Sequence, residues 1–134
     1  MNSKNTKYFL KKYPKLFKQY NLPLSETAMC WGLECGDGWF KLLDILCALL
    51  QNDVDNNGHC QIEFTQIKEK YGSLRTYTNI SDDKQEGLLE FAEAMSNHIC
   101  ENCGTNVTVT RNKGGWISTL CKTCRNNNEK ENGL

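Results

Sequence analysis

Apolar positions recur along the chain with two different periods, and each change of period marks a new element. Over residues 7–20, Phe9, Tyr13, Leu16, Phe17 and Tyr20 fall at three- and four-residue steps with lysines between them. That spacing predicts an amphipathic helical segment interrupted at Pro14, which opens a second short helical turn. Beyond Asn21-Leu22-Pro23, Ser25 can cap a short helix running towards Trp31. The strongest helical pattern covers residues 38–52. Trp39, Leu42, Leu43, Leu46, Leu49 and Leu50 share one face, and Lys41, Asp44, Ala48 and Gln51 the other. Glu34-Cys35-Gly36-Asp37-Gly38 reads as the turn ahead of it, with Asp37 as N-cap, and a loop over 53–59 ends it.

The period then falls to two. Cys60, Ile62 and Phe64 alternate with polar neighbours, Gly72-Ser73 can turn the chain, and Leu74 to Thr78 form a second β-prone run. This predicts a β-hairpin. Ser81-Asp82-Asp83 caps a further helix with Leu88, Phe91, Ala92 and Met95 as its apolar stripe, ending near His98. Residues 1–98 are thus an expected α+β domain with a basic N-terminal helical arm.

Past residue 98 the pattern thins. Val107 and Val109 alternate with polar residues, Gly114-Gly115 turns the chain, and Trp116 to Leu120 returns. This single short hairpin lies between Cys100-x-x-Cys103 and Cys121-x-x-Cys124. Each pair sits on a tight turn, and the hairpin brings the pairs together, so four sulfurs can surround one zinc ion; residues 99–125 read as a zinc ribbon. So few apolar side chains cannot pack a core, and the ion must supply most of the fold energy. One structural Zn2+ held by Cys100, Cys103, Cys121 and Cys124 is the expected cofactor. Residues 126–134 are polar, with three consecutive asparagines, and read as a disordered tail.

Composition changes this picture in two places. The 16 basic and 16 acidic residues cancel, but they are unevenly placed. Residues 1–20 hold six lysines and no acid, 21–98 hold five basic and thirteen acidic residues, and 99–134 hold five and three. Basic ends on an acidic middle can steer a polyanion to the ends, or the lysines can simply be solvated. The eight cysteines would suit a secreted disulfide scaffold. The lysine-rich start has no hydrophobic signal region, however, and no apolar run approaches membrane-spanning length. The expectation is a cytoplasmic metal protein without a membrane partner.

Candidate chemistry is sparse. A four-thiolate shell leaves no open coordination position for a water nucleophile, so the zinc is expected to be structural. Residues 104–120 contain no histidine, against a ββα nuclease site, and neither His59-Cys60 nor Ile99-Cys100 fits a zinc deaminase. No nucleotide-binding glycine loop, nucleophile elbow or His-Glu-x-x-His is present, so nothing positive supports an enzyme.

Four candidate binding sites remain open. The hairpin tip, with Arg111, Lys113 and Trp116, and Lys122 and Arg125 at the second cysteine pair, suits a nucleic-acid backbone and an unstacked base, unless Trp116 packs on the main domain. The glycines around Asp37 can form a concave turn facing an anion or a small ligand, with Glu34, Trp39, Lys68, Lys70 and Arg75 around it, or can serve only capping and turning. Cys30, Cys35, Cys47, Cys60 and His59 could hold a second metal, although their spacings match no module. Asp53 to Gly58 matches the first half of a calcium loop, but the twelfth position is Phe64 and Glu63 is one place early.

Four stretches carry a resemblance: Glu34-Cys35-Gly36-Asp37-Gly38-Trp39, then Gln66 to Arg75, then Cys100-Glu101-Asn102-Cys103-Gly104, and finally Gly114-Gly115-Trp116 to Cys121. Over residues 34–124 the chain resembles a family of small, uncharacterised phage and prophage zinc-ribbon proteins. The resemblance implies a viral or mobile-element origin, action in the host cytoplasm, and no particular activity. Small accessory proteins in that setting bind host proteins or nucleic acid, or sequester nucleotide-like ligands as counter-defence. The expectation is therefore a non-enzymatic accessory protein that engages a host protein or nucleic acid. The alternative is a pocket for a nucleotide-like ligand between the 34–39 turn and the 66–75 hairpin.

Overall fold

The computed structural model of the protein describes residues 1–131 and Gly133. Helix α1 (Ser3–Lys12) starts where the Asn2 side chain accepts the Asn5 N–H, the usual way to satisfy one of a helix's orphan donors. It ends at Tyr13, ahead of Pro14. Phe9, Tyr13, Leu16 and Phe17 are buried as the spacing required, and Phe9 rests against Tyr8, Phe17 and Phe40. The arm therefore belongs to the core, and its lysines face solvent. The segment expected to be a helix from Ser25 forms instead a turn and a 3₁₀ turn, Met29–Trp31. Gly32, at φ 74°, ends that turn, and the chain is then extended as β1 (Leu33–Glu34).

Helix α2 (Phe40–Asn57) is longer than expected. The stretch 53–57 is its last turn, and Gly58 closes it in the left-handed conformation, φ 74°, with its N–H donated to Asp53 O. Buried Asp53 is held by Lys84 at 2.9 Å and Asn57 at 2.6 Å. Asp53 to Asn57 is thus helix rather than a calcium loop. The inward face is Leu43, Leu46, Cys47 and Leu50, with Leu49 left 46% exposed.

Strand β2 (Phe64–Lys70) and strand β3 (Ser73–Thr78) form the expected hairpin, antiparallel with Ile67 opposite Thr76 and a bulge between Phe64 and Gln66. Strand β1 joins β2 in parallel, Leu33 beside Ile67, so α2 is the crossover between parallel strands. Helix α3 (Asp83–Ser96) is capped by Asp82, which accepts the Gln85 N–H while Gln85 Oε1 accepts the Asp82 N–H, a reciprocal capping box. Its buried face is Gln85, Leu89, Ala92 and Ser96, and Phe91 points to solvent at 66% exposure. The face is rotated from the expected stripe because polar Gln85 and Ser96 are inside, where Gln85 donates to Cys60 O and Ser96 accepts the Leu74 N–H.

Beyond it, strands β4 (Thr110–Arg111) and β5 (Thr119–Leu120) form a two-stranded ribbon, followed by helix α4 (Lys122–Glu131). The polar stretch 126–131, expected to be disordered, continues α4, because the second cysteine turn already starts the helix: Arg125 N–H reaches Cys121 O at 2.9 Å. Asn132 and Leu134, also in the expected tail, lie outside the described residues.

Asp44 ties α1 to α2. It accepts the hydroxyls of Tyr13 at 2.6 Å and Tyr8 at 3.0 Å, with Lys12 at 3.4 Å. Burial opposes its ionisation, but these partners win and hold the carboxyl below its ordinary range. A carboxyl depressed in the folded state stabilises the fold above its unfolded pKa, about 3.9, and that stability is lost as pH falls through the folded value. Asp44→Asn should therefore lower the thermal midpoint at about pH 7 and flatten its decline towards about pH 3. Thermal scans across pH test this, and a decline as steep as wild type would refute it.

Candidate metal centre and hairpin tip

The four ribbon cysteines converge. The first pair is shaped by a tight turn in which Gly104 N–H reaches Cys100 O at 2.9 Å, and Gly104 takes φ 82°. The second sits on the first turn of α4, where the Cys124 N–H points at Cys121 Sγ, 3.4 Å away. The sulfurs of Cys100, Cys103, Cys121 and Cys124 all lie within 4.8 Å of one another, and Cys103 and Cys121 are 3.8 Å apart. A tetrahedral zinc with bonds of about 2.3 Å requires sulfurs about 3.8 Å apart. The donor set and the spacing fit such an ion.

Three of these cysteines are buried and Cys103 is exposed. Burial disfavours a Cys100 thiolate, yet the backbone amides of Cys121, Cys103 and Asn102 outweigh it and bring the thiol down to about 7. At Cys124 the Asn102 amide favours the thiolate, but burial and the three neighbouring thiols push it up to about 12. Four thiols this close cannot all ionise without a cation among them. Among the described residues, the cluster's apolar support apart from the cysteines is only Leu120 and half-buried Val109.

The first cysteine turn is pressed against the main domain. Gly38 N–H donates to Glu101 O at 2.7 Å, Gly36 N–H donates to Glu101 Oε2 at 2.8 Å, and Trp39 Nε1 donates to Ile99 O at 2.9 Å. A Cβ on Gly38 would sit 2.1 Å from Cys100 O, and one on Gly36 would sit 2.3 Å from Glu101 O. The two glycines are needed for backbone-to-backbone approach. The concave turn around Asp37 does face an anion, and that anion is Glu101 of the same chain. Burial pushes the Glu101 carboxyl up, while the Gly36 amide holds it down. Asp37 does not cap α2. It accepts Asn2 N–H at 2.8 Å and Asn5 Nδ2 at 3.0 Å, the Asn2 amide foremost in holding its pKa down. On the other side of the ribbon, buried Thr119 donates its hydroxyl to Gly72 O at 2.6 Å and accepts Glu101 N–H at 3.0 Å.

Of the residues expected around a ligand pocket, Glu34, Lys68 and Arg75 stand in one row across the sheet, Glu34 opposite Lys68 and Lys68 opposite Arg75. Trp39 is fully buried in the core, and Arg75 pairs with Glu93 at 3.6 Å. Lys70 lines a cavity together with Glu69, Tyr71, Trp116 and Ile117. The remaining cysteines are scattered: Cys35 and Cys47 are core thiols, burial pushing Cys35 up to about 12, and Cys60 is exposed beside His59, which pairs with Asp82 at 2.6 Å. Among the described residues the four ribbon cysteines are the one group of three or more potential ligands brought together.

At the hairpin tip the residues named from sequence separate into two kinds. Trp116 is 83% exposed, and Lys113 and Lys122 also face solvent. Arg125 is spent on its own hairpin, donating to Thr110 O at 2.6 Å and to Ser118 O at 3.2 Å. Arg111 donates to Tyr71 O, linking the ribbon to the β2–β3 turn. The residue sequence reasoning missed is Asn112. Its amide donates to Trp116 O at 2.7 Å and Gly114 O at 3.1 Å and accepts Ser118 N–H at 2.7 Å. It fixes the loop that presents the indole. Trp116 lines a cavity of about 510 Å³ with Glu101, Asn102, Arg125 and Glu129, and a second of about 300 Å³ towards Tyr71. Comparison with protein-family models, curated proteins and solved structures gives no match.

Gly38→Ala should cost about 3 kcal/mol, since backbone must yield to backbone. Gly87→Ala, inside α3 with open space at its Cβ, should stabilise by about 0.5–1 kcal/mol; chemical denaturation measures both, and a tolerated Gly38→Ala would refute the docking. Metal analysis should find one ion per chain, and its removal by a strong chelator should lower the melting temperature of the whole chain, because the ribbon and main domain share hydrogen bonds. Absence of bound metal, or an unchanged melt, would refute the assignment.

Proposed function

We propose that the protein is a non-enzymatic accessory factor, stabilised by one structural zinc, that takes a single-stranded nucleic acid on the tip of its C-terminal hairpin. The observation that carries this reading is the exposure of Trp116. Burying an indole on the neighbouring domain would be favourable, yet Trp116 stands in solvent on a loop fixed by Asn112. A rigid, exposed aromatic face flanked by cations suits stacking of an unpaired base with phosphates nearby. Lys113 and Lys122 are solvent-facing cations of the ribbon, and Arg111 is exposed as well. Four thiolates close the coordination shell of a zinc ion, which supports binding rather than metal-assisted chemistry.

A nucleotide-like ligand is the second reading, favoured by the cavity of about 510 Å³ beside Trp116 with polar Asn102 and Asn128 in its wall. Fluorescence anisotropy with labelled single-stranded DNA and RNA separates the two. On the nucleic-acid reading Trp116→Ala weakens oligonucleotide binding roughly tenfold. Replacing Lys113 and Lys122 with alanine lowers the salt slope by about 0.7 for each phosphate that is no longer neutralised. Stabilisation by mononucleotides without oligonucleotide binding would transfer the site to the second reading. Oligonucleotide binding that is insensitive to salt and to these variants, or no binding at all, would overturn the first; a protein captured only through Trp116 would then redirect the site to a protein partner.

A further inference from the structure

We infer that Tyr71, at the turn of the β2–β3 hairpin in the main domain, is a second stacking residue, so that an unpaired base is held in the cleft between Tyr71 and Trp116. This rests on the nucleic-acid reading of Trp116 and extends the site across the ribbon onto the main domain. Tyr71 and Trp116 both line the cavity of about 300 Å³, with Ile117 at its side. The two side chains are 65% and 83% exposed, and neither enters the ring-on-ring packing that joins Tyr8, Phe9, Phe17, Phe40 and Phe64 in the core.

The backbone supplies an independent observation. Tyr71 and Gly72 form a two-residue hairpin turn with φ 54° and 78°, the left-handed pair that Asn-Gly or Gly-Gly satisfies at least cost. A bulky side chain in that region is strained, and this one remains mostly exposed. Strain at an exposed aromatic is explained by what the ring touches outside the fold.

The surrounding charge suits a polyanion. Lys70 Nζ stands 5.7 Å from the Tyr71 ring centroid, and Arg111 is held at Tyr71 O. Among the described residues the one acid in the cleft wall is Glu69, whose charge is turned onto the Gly72 N–H at 2.8 Å and stands against the two cations. The flat π faces accept any base, so the ligand is a single strand recognised with little sequence preference.

The test uses the full-length, metal-loaded chain and a labelled oligothymidylate and oligouridylate of about eight nucleotides, within the site size of such grooves. Tyr71→Asn places the favoured turn residue at that position. It is expected to melt at the same temperature as wild type or higher, and yet to bind roughly tenfold more weakly. Tyr71→Phe should bind as wild type, and Tyr71→Leu, apolar without a π face, should lose affinity like the asparagine variant. Tyr71→Asn or Tyr71→Leu binding as tightly as wild type, while Trp116→Ala is weakened, overturns the clamp and leaves the Trp116 reading standing. Binding unaffected by Trp116→Ala, or no binding by wild type, overturns both.

Discussion

The interaction on which the rest of the structure depends is the approach of two backbones, Gly36 and Gly38 on one side and Cys100 and Glu101 on the other. Gly38 N–H and Glu101 O are 2.7 Å apart with no side chain between them. Through this approach the turn between β1 and α2 is seated on the first cysteine turn, and the indole N–H of Trp39, deep in the core, is satisfied by Ile99 O. The core and the metal cluster therefore share a wall. The ribbon has too little apolar surface to fold alone. Its four cysteines converge at a site that fits a metal ion, main-chain hydrogen bonds hold it to the domain, and Thr119 adds a buried link to Gly72.

Much of this is legible in the sequence. Two Cys-x-x-Cys pairs around one hairpin point to four converging sulfurs, because metal geometry constrains spacing more tightly than packing does. The α2 face and the β2–β3 hairpin follow from hydrophobic period. The misreadings have a common origin: polar groups that find partners only in three dimensions. Gln85 and Ser96 are buried because Cys60 O and Leu74 N–H wait for them, which shifts the α3 stripe away from Phe91. Asp53 reads as a loop residue until Lys84 is placed beside it. Asp37, an obvious cap, is claimed by Asn2 and Asn5, from more than thirty residues earlier in the chain. The glycines around Asp37 mark a concave cradle, but nothing in their local sequence shows that Glu101 fills it. Tyr71-Gly72 does carry a readable signal, a bulky residue where a hairpin turn favours Asn or Gly.

The surface divides by chemistry in a way that overall charge conceals. The lysines of α1 are solvated over an aromatic face that is entirely committed to the core, so the basic arm is a packing element with a charged exterior. At the ribbon the order is reversed. There the arginines are structural, Arg125 bracing the hairpin and Arg111 tethering it to the β2–β3 turn, and the aromatic residue is the one left outside. A guanidinium spent on carbonyl oxygens keeps its charge near the tip but is no longer free to fork onto a phosphate.

The unequal burial of the four thiolates also sets how an ion would come and go. Cys100, Cys121 and Cys124 are enclosed, and Cys103 forms the single open corner of the cluster. Exchange at such a site proceeds one ligand at a time, and an incoming thiol or chelator can displace only the sulfur it can reach. The residence time of a bound ion would therefore be governed by its one solvent-facing bond, to Cys103, and the three buried cysteines would recapture the ion whenever that bond opened alone.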